Sequence, residues 1–322
     1  MKKILSLCAI VIVLLSCSSD DKPIDFVFEN ITYGSFIRTL NFAPADLVAG
    51  DSSSKFSVLL EQQDFEDGGL LEAMHVYVSF IDNNPDNGVN NTQEAFLTTY
   101  QASDFEQGPV GLPRLTLEYS YLDLLNITGL SMSQTVCKDQ FSIRVEVELT
   151  DGRKFSVGSG ASCIIAYQTY FSSPYRYLVN IVEPAPEDLF TGMYRYTSVL
   201  DGPFGSTFGP PQIVEITAGA QRNVREIRFF GTPESPTNGA PRPFYFSLVC
   251  DQAVFWENQL RKTNANCSEG ANDILLGPDS VNATITPLED SVFELWIVEG
   301  YLGFDGSFGF GTQPSRLRFD KQ

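Results

Sequence analysis

The chain has 322 residues, which is enough for about two domains of roughly 150 residues each. Hydrophobic residues make up 43% of it and aromatic residues 12%, which excludes a wholly disordered protein. With 21 basic and 40 acidic side chains, its formal net charge of −19 argues against binding to a nucleic-acid backbone. A single histidine excludes a His-rich metal site and disfavours a Ser-His-Asp enzyme.

The N-terminus carries the pattern of a bacterial lipoprotein signal. Lys2 and Lys3 precede the apolar run Ile4–Leu15, whose 12 residues are too few for a membrane-spanning helix of about 20. The sequence Leu14-Leu15-Ser16-Cys17 then resembles a lipobox, which implies cleavage before Cys17 and acylation of the new N-terminus. We predict a signal peptide over residues 1–16 and a lipidated tether over 17–25. The alternative is an ordinary signal peptide with a chance cysteine.

An acidic stretch, Ser18-Ser19-Asp20-Asp21, follows the cysteine. It resembles the surface-export signal of Bacteroidota lipoproteins and implies the outer face of the outer membrane; the alternative is a polar tether that faces the periplasm. Cleavage would leave 19 basic and 40 acidic side chains, a net charge of −21. We expect an outer-membrane lipoprotein exposed at the cell surface, since three acyl chains anchor more firmly than one.

Four of the six cysteines remain after Cys8 leaves with the signal and Cys17 takes lipid. Cys137, Cys163, Cys250 and Cys267 allow three pairings. Proximity along the chain favours Cys137–Cys163 and Cys250–Cys267. A zinc site is the rival, but the spacing Cys-x-x-Cys and a nearby histidine are both absent from the sequence.

Alternating apolar and polar residues predict strands along the first half of the chain. The clearest is Phe141–Leu149, and Asp151-Gly152 after it predicts a hairpin turn. The segment Ser120–Leu130 predicts a short helix, with Leu122, Leu125 and Leu130 roughly at helical spacing. Further predicted strands contain Met74–Phe80, Leu115–Tyr119 and Tyr175–Ile181. We expect an immunoglobulin- or fibronectin-like sandwich over residues 26–183.

The proline-rich segment Glu183–Glu187 cannot continue a strand and predicts a domain boundary. Strand patterns recur after it, at Gly192–Tyr196, Ile213–Thr217, Val224–Phe230, Phe244–Val249, Val281–Thr286, Ser291–Val298 and Arg316–Phe319. We therefore expect an all-β chain, in which a second antiparallel domain, a sandwich or barrel-like sheet, occupies residues 187–322. Two Gly/Phe-rich stretches, Gly202–Gly209 and Gly303–Gly311, predict hairpin loops.

Several motifs occur in order behind the lipobox: Val76–Gly88, Gly111–Arg114, Asp139–Phe141, Thr150–Arg153, Phe171–Pro174 and Leu189–Tyr194. Together they resemble flavobacterial surface lipoproteins associated with Sus-like TonB-dependent nutrient importers, over most of the mature chain. The resemblance implies an accessory lipoprotein of a glycan or peptide uptake system. Its implied partners are the importer and its lipoprotein lid, and its implied ligand is an oligosaccharide or peptide. None of the motifs is catalytic.

The loop after Ile81 is rich in oxygen ligands. Asp82, Asn84 and Asp86 alternate as the first calcium ligands of an EF-hand loop do, but the rest of that pattern fails at Asn87 and Gln93. Asn, Asp, Pro and Gly are also the usual turn residues. We expect a polar turn, with a structural calcium site as the alternative and no other cofactor.

The aromatic candidates for ligand binding lie in the second half. Trp256 and Trp296 are the only tryptophans, and Tyr301, Phe304 and Phe308 lie in a Gly-rich loop. An aromatic face with a polar rim can stack on a sugar ring, but large aromatic residues more often serve a core. We favour core positions for both tryptophans and keep stacking as the alternative. Loops on a rigid scaffold favour the second domain for ligand capture.

The sequence as a whole favours a non-enzymatic surface lipoprotein that binds a ligand or assists its uptake. No activated nucleophile is evident, and we assign no catalytic residue. A surface hydrolase acting on glycan or peptide is the first alternative; it would need two carboxylates about 5–10 Å apart in a cleft. A structural or adhesion lipoprotein without a small ligand is the second.

The anchor can be tested directly. We expect Cys17→Ala to abolish membrane attachment, because no other segment of the sequence is apolar and long enough to hold the chain in a bilayer. Fractionation of cells with an antibody to the protein measures this. A variant that still sediments with the outer membrane would contradict the lipid anchor.

Overall fold

The computed structural model describes residues 33–42, 46–160, 162–165, 172–203, 205–229, 242–262, 274–286, 288–300 and 313–322. The signal peptide, Cys17, the tether, Cys267, the side chain of Cys163, Tyr301, Phe304 and Phe308 lie outside the described residues. Residues Ser35–Gln322 form one compact unit, and its described elements are almost all strands. The all-β prediction is confirmed.

The first half of this unit is a sandwich of two sheets. One sheet has the order β1-β3-β7-β6, and the other has the order β2-β10-β8-β4-β5 with β9 paired to β8. The bounds of the first are β1 (Phe36–Phe42), β3 (Lys55–Gln63), β7 (Pro113–Ser120) and β6 (Glu106–Gln107). Those of the second are β2 (Leu47–Val48), β10 (Arg176–Val182), β8 (Gln140–Leu149), β4 (Leu71–Ile81), β5 (Ala95–Gln101) and β9 (Lys154–Phe155).

The strand order of the sandwich is that of an immunoglobulin-like domain. The strands β1, β3, β7 and β6 take the places of A, B, E and D, while β10, β8, β4 and β5 take those of G, F, C and C′. All pairings are antiparallel except that of β2 with β10, which is parallel. The predicted immunoglobulin-like sandwich is therefore present in the first half.

Alternation along the strands builds the sandwich core. Every second residue of β8, from Phe141 to Leu149, is buried, and the intervening residues are half-buried. The inward row of β4, from Met74 to Phe80, packs against it, as expected from the sequence. Because side chains of a strand alternate between faces, the same strands present an outward row of polar residues. That outward row becomes one wall of the site described below.

A short helix, α1 (Tyr121–Thr128), connects β7 to β8 as predicted. The Ser120 hydroxyl accepts a hydrogen bond from the Asp123 N–H, and the helix ends at Gly129, whose φ of 71° suits glycine. Of the leucines at helical spacing, Leu122 does not belong to the buried face of the helix, since it is 50% exposed. The buried stripe is instead Tyr121, Leu124 and Leu125, because these positions share one helical face.

Short elements complete the sandwich half. One four-residue helix, α2 (Ser162–Ile165), lies between β9 and β10. Single 3₁₀ turns lie at Pro85–Asn87, Ala102–Asp104 and Met132–Gln134.

The second half is a ten-stranded antiparallel sheet in the order β16-β17-β19-β20-β11-β12-β13-β14-β15-β18. Its strands are β11 (Gly192–Leu200), β12 (Gln212–Ala218), β13 (Val224–Phe229), β14 (Arg242–Val249), β15 (Gln252–Phe255), β16 (Gln259–Lys262), β17 (Ile274–Pro278), β18 (Ala283–Thr284), β19 (Val292–Glu299) and β20 (Gln313–Lys321). The sheet is curled, as shown by the contacts that β15 and β18 at one end make with β19 near the other end. Its concave face encloses a core rich in stacked aromatic residues, including Phe208 on Phe229 and Phe293 on Phe319.

Three strands of this sheet were missed by the sequence patterns. The predictions contained no counterpart of β15, β16 or β17, which are only four or five residues long. In β17 the run Ile274–Gly277 is buried throughout, so the alternation that reveals a half-exposed strand is missing. Of these strands, β15 and β17 contribute residues to the second wall of the site.

The proline-rich junction lies between the two cores and is held by side chains of the curled sheet. Asn223 donates to the carbonyl of Glu183 and accepts from the N–H of Ala185. The fully buried guanidinium of Arg225 donates to the carbonyls of Pro186 and Leu189, and burial lowers its pKa. A buried cation is tolerated here because carbonyl oxygens surround it. The junction is therefore fixed and does not act as a free linker.

A disulfide joins the two halves and corrects the pairing expected from the sequence. Cys137, between α1 and β8, is bonded to Cys250, between β14 and β15, with a Cα–Cα distance of 6.2 Å. The expected Cys137–Cys163 and Cys250–Cys267 bridges are therefore wrong. Proximity along the chain misled the prediction, since the bonded cysteines are 113 residues apart. Lys138 and Asp251, the next residue on each side, form a salt bridge of 2.6 Å.

The disulfide should contribute strongly to stability. We expect the double variant Cys137→Ser/Cys250→Ser to lose about 2–5 kcal/mol of the free energy of unfolding, because the bridge closes a long loop in the unfolded chain. Urea denaturation measures this, and wild type in excess reductant is the control that should match the variant. Peptide mapping of the unreduced protein should recover 137–250; recovery of 137–163 would contradict the fold.

Candidate ligand-binding groove

A groove separates the outward face of the sandwich from the convex face of the curled sheet. A cavity of about 110 Å³ and a larger one of about 590 Å³ share a set of lining residues. The shared residues are Gln140, Leu178, Asn180, Val254 and Pro278. We call the space formed by these two cavities the inter-core groove, since one of its walls belongs to each hydrophobic core.

The sandwich wall carries a chain of side-chain hydrogen bonds that crosses neighbouring strands. Asn180 of β10 donates to Asp46 Oδ1 at 2.9 Å, and Gln140 of β8 donates to Asn180 Oδ1 at 2.8 Å. Asn83, two residues after β4, donates to Gln140 Oε1 at 3.2 Å. The residues align because Asn180 and Gln140 are paired in register and Asp46 directly precedes β2, which pairs with β10. We call these four residues the polar chain.

The opposite wall combines apolar and polar side chains and ends at Trp256. Val254 and Pro278 line both cavities, and Val249, Val281 and Val298 extend this wall along the larger one. The Trp256 ring stacks on Tyr245, with centroids 5.1 Å apart and an interplanar angle of 26°. Its Nε1 donates to the Ser247 hydroxyl at 2.8 Å, which fixes the orientation of the ring.

Trp256 also borders a third cavity, of about 200 Å³, on its other side. That cavity lies between Thr39–Asn41 of β1 and the curled-sheet residues Gln221 and Tyr245. The ring is thus half-buried at the boundary between two spaces and does not belong to a hydrophobic core. The favoured core position for Trp256 is wrong, and the alternative role as a binding platform is the one its place in the structure allows.

Trp296 lies on the outer face of β19 and lines none of the three cavities, although its carbonyl accepts a hydrogen bond from the N–H of Asp279, which lines the larger one. Its Nε1 donates to Glu294 at 2.8 Å, and the Arg316 guanidinium lies 4.7 Å from the ring centroid. Arg316 in turn pairs with Asp279 at 2.6 Å. Trp296 is therefore also not a core residue, because a side chain at this register faces outward. The arginine covers its face, and the two tryptophans do not share a site.

The groove includes an acidic side chain with an unusual environment. Asp46 is half-buried, but its Oδ2 is fully enclosed and has no hydrogen-bond partner among the described residues. Burial raises the pKa of this carboxyl from 3.8 to about 6, although the hydrogen bond from Asn180 opposes the change. The protonation state of Asp46 therefore changes near pH 6 in the folded protein.

Other charges at the groove are paired. Arg176 donates to Glu257 at 3.0 Å, and Asp279 is paired with Arg316. The hydrolase alternative needs two carboxylates that act together, whereas Glu257 and Asp279 are each held by an arginine. The arrangement suits recognition of a ligand through hydrogen bonds and apolar contact.

The polar loop after β4 uses its oxygens to hold its own turn. Asp82 Oδ1 accepts from the Asn84 N–H at 3.1 Å, and Oδ2 accepts from the Asn90 N–H at 2.7 Å. Buried Asp139, whose pKa is raised by burial, accepts from the N–H groups of Asn83 and Asn84. Within the described ranges, no group of three or more His, Cys, Asp or Glu residues is placed to hold a metal ion. Calcium at Asp82, Asn84 and Asp86 stays a prediction.

Sequence reasoning found Trp256 but missed the polar chain. Asp46, Gln140 and Asn180 lie far apart in sequence, and each is an ordinary polar residue of a half-exposed strand or its flank. The periodicity of β8 and β10 identifies their outward face, yet no sequence signal shows that a second sheet lies opposite it. The groove draws on both halves, so the assignment of ligand capture to residues 187–322 alone does not describe this site.

Comparisons with known proteins identify no family. No model of a known protein family matches the chain, and no curated protein matches it. Among solved structures, the chain is similar to Spo0M, a sporulation control protein from Bacillus subtilis. The identity is 8% over 89% of this chain and 90% of that one, with a TM-score of 0.21, which carries no argument. In the part of the chain that the structure describes, no helix is apolar and long enough to cross a membrane.

Asp46 gives a pH-dependent test of the groove. Below about pH 3 the carboxyl is protonated in both the folded and unfolded states, so its ionisation does not affect stability. Between pH 3.8 and about 6 the carboxyl ionises in the unfolded state and not in the folded state, which destabilises the folded protein by roughly 3 kcal/mol once the pH is above 6. We expect Asp46→Asn to be more stable than wild type at pH 7.5 and this difference to disappear near pH 3, by urea denaturation at each pH.

The control for this experiment is Asp51→Asn. Hydrogen bonds from Ser53 lower the pKa of the exposed Asp51 carboxyl, so ionisation of this group favours the folded state. Asp51→Asn should therefore be less stable than wild type at pH 7.5, which is the opposite sign. A difference between Asp46→Asn and wild type that is the same at all pH values would contradict the enclosed position of Asp46.

Proposed function

We propose that this protein is a non-enzymatic cell-surface lipoprotein that binds a ligand in the inter-core groove. The observation that carries the proposal is the groove itself, in which the polar chain faces a wall of valines and polar side chains that ends at Trp256. Concave sites that combine apolar side chains with convergent polar groups are the usual form of small-ligand sites. The cargo class is a glycan or peptide, and the role is that of an accessory or ligand-binding component of a Sus-like uptake complex.

The N-terminal sequence supports the surface location in this proposal. The lipobox ending at Cys17 supplies the anchor, and the acidic residues behind it supply the export signal. The anchored chain would stand beside an importer and its lipoprotein lid, to which it would deliver cargo. A formal charge of −21 after cleavage disfavours nucleic acid as a ligand.

The two alternatives fit the groove less well. A hydrolase would need an acid and a second carboxylate free to act, but Glu257 is held by Arg176 and Asp279 by Arg316. A purely structural or adhesive protein has no use for a concave site with an oriented tryptophan.

Trp256 and Trp296 offer a matched pair of variants. Both are half-buried tryptophans of the second half, and each donates its Nε1 to a neighbouring side chain. We expect Trp256→Ala to weaken binding of neutral oligosaccharides or short peptides by about 30-fold, since an aromatic anchor contributes ~2 kcal/mol. Trp296→Ala should bind as wild type does.

The measurement is isothermal titration of the full mature chain, made soluble by Cys17→Ala, with a panel of both cargo classes. Thermal melts check that each variant is folded. Loss of binding in Trp296→Ala and not in Trp256→Ala would place the site elsewhere. An absence of binding to every member of the panel would favour the structural or adhesion role.

A further inference from the structure

We infer that the ligand of the inter-core groove is a neutral, polyhydroxylated chain, namely a segment of an uncharged oligosaccharide. This inference rests on the proposed function and narrows its cargo to one chemical class. It rests on the side chains that line the groove, on their charges, and on the fact that the strands behind them are already paired with neighbouring strands.

The groove is unusually rich in carboxamides. Six asparagine and glutamine side chains line it: Asn83, Gln140, Asn180, Gln252, Asn258 and Asn282. A carboxamide donates through its NH₂ and accepts through its oxygen, and a sugar hydroxyl likewise both donates and accepts. A row of carboxamides can therefore bind successive hydroxyls of a sugar without a fixed order of donors and acceptors.

Unpartnered polar atoms concentrate in the same place. Among the described residues, five enclosed side-chain nitrogen or oxygen atoms have neither a hydrogen-bond nor a salt-bridge partner, and three of them belong to residues that line the groove. They are Asp46 Oδ2, Arg176 Nε and Asn282 Oδ1. Asn282 Oδ1 can only accept and Arg176 Nε can only donate; both atoms are enclosed, so a ligand hydroxyl would satisfy them only after the side chains turn toward the groove.

The described cations of the groove are already neutralised, which disfavours an anionic ligand. Lys138 is paired with Asp251 at 2.6 Å, and Arg176 is paired with Glu257 at 3.0 Å. An incoming carboxylate or sulfate would have to compete with these acids. The strong net negative charge of the whole chain adds to this repulsion.

Apolar side chains in the groove complement the carboxamides. Val249, Val254, Pro278 and Val281 lie opposite the polar chain, and Leu178 lies within the sandwich wall. A sugar ring has hydroxyls at its rim and C–H groups on its faces, so it can contact both walls at once. The larger cavity, of about 590 Å³, has the size typical of small-molecule sites.

The backbone of both walls argues against a peptide. Sheets capture extended peptides by pairing them with an unpaired edge strand. In the groove, β10 already lies between β2 and β8, and β14 lies between β13 and β15. The edge strands that border the groove, β2 and β18, are each only two residues long, so a peptide would meet mainly sheet faces there and could form no extended ladder of hydrogen bonds.

Asn282→Leu is the sharpest test, because the free oxygen of Asn282 can be removed without breaking a bond that this atom makes within the described protein. Asn180→Leu is the companion variant, which removes the centre of the polar chain. Asn126→Leu, on the exposed face of α1, is the matched control. All three are made in the full mature chain, soluble through Cys17→Ala.

The probes are hexasaccharides of maltose, xylose, mannose and β-1,3-glucose units, oligogalacturonate as an anionic sugar, and uncharged hexapeptides. We expect at least one neutral hexasaccharide to bind. The other probes should bind with lower affinity unless they share its pattern of hydroxyl groups. Asn282→Leu and Asn180→Leu should each weaken that binding at least tenfold, while Asn126→Leu leaves it unchanged. Thermal melts should show that Asn282→Leu is as stable as wild type.

The outcomes separate this inference from the proposed function. Binding of peptides and not sugars, abolished by Trp256→Ala, would overturn the inference and leave the function standing. Tighter binding of oligogalacturonate than of every neutral sugar would also overturn it, as would sugar binding that neither asparagine variant affects. A failure of every probe to bind would overturn both.

Discussion

The covalent link between Cys137 and Cys250 is the constraint on which the arrangement of the two halves depends. It fastens the connection between α1 and β8 of the sandwich to the turn between β14 and β15 of the curled sheet. The salt bridge between Lys138 and Asp251 lies beside it. Lys138 and Cys250 both have left-handed backbone conformations, with φ of 85° and 62°, which cost energy in residues other than glycine. The bond fixes one end of the groove at the expense of that local strain.

The proline-rich junction supplies a second point of attachment by a different kind of interaction. Prolines stiffen the segment, but Asn223 and Arg225 decide its course by binding its carbonyl groups. A third attachment is apolar, since Ile165 of α2 packs with Leu260 and Leu275 of the curled sheet. The two cores are distinct, yet residues 35–322 behave as one compact unit because these contacts join them.

The groove follows from this arrangement. Each half presents a sheet face on which alternation has left polar or partly apolar side chains, and neither face is a pocket by itself. The sandwich contributes carboxamides in register, while the curled sheet contributes Trp256 and a row of valines. Because the curled-sheet wall places valines among polar side chains such as Gln252 and Asn282, a ligand must offer both hydrogen-bonding and apolar groups to fill the space well. That requirement is the physical basis of the specificity proposed above.

The sequence by itself determined the local features whose signal is periodic or covalent. Alternation identified β4, β8 and β10 and their inward rows, and the pattern Ser120–Gly129 marked α1. The N-terminal apolar run predicted a lipoprotein signal peptide and so a cellular location. It did not determine β15 and β17, because β15 is only four residues long and the buried run Ile274–Gly277 of β17 shows no alternation. It also misassigned the cysteine pairs and the tryptophans, since both depend on which sheet faces lie opposite each other.

Only the tertiary structure decided the site. Asp46, Gln140, Asn180 and Asn282 come from four separate parts of the chain and are unremarkable in sequence. They become a binding surface because strand pairing places three of them side by side and the attachments between the halves bring the fourth to the same groove. A linear pattern records how each strand meets its own core. The relation between two cores is set by contacts between residues far apart in the sequence, from 36 positions for Arg225 and Leu189 to 113 for the two cysteines, for which no local pattern exists.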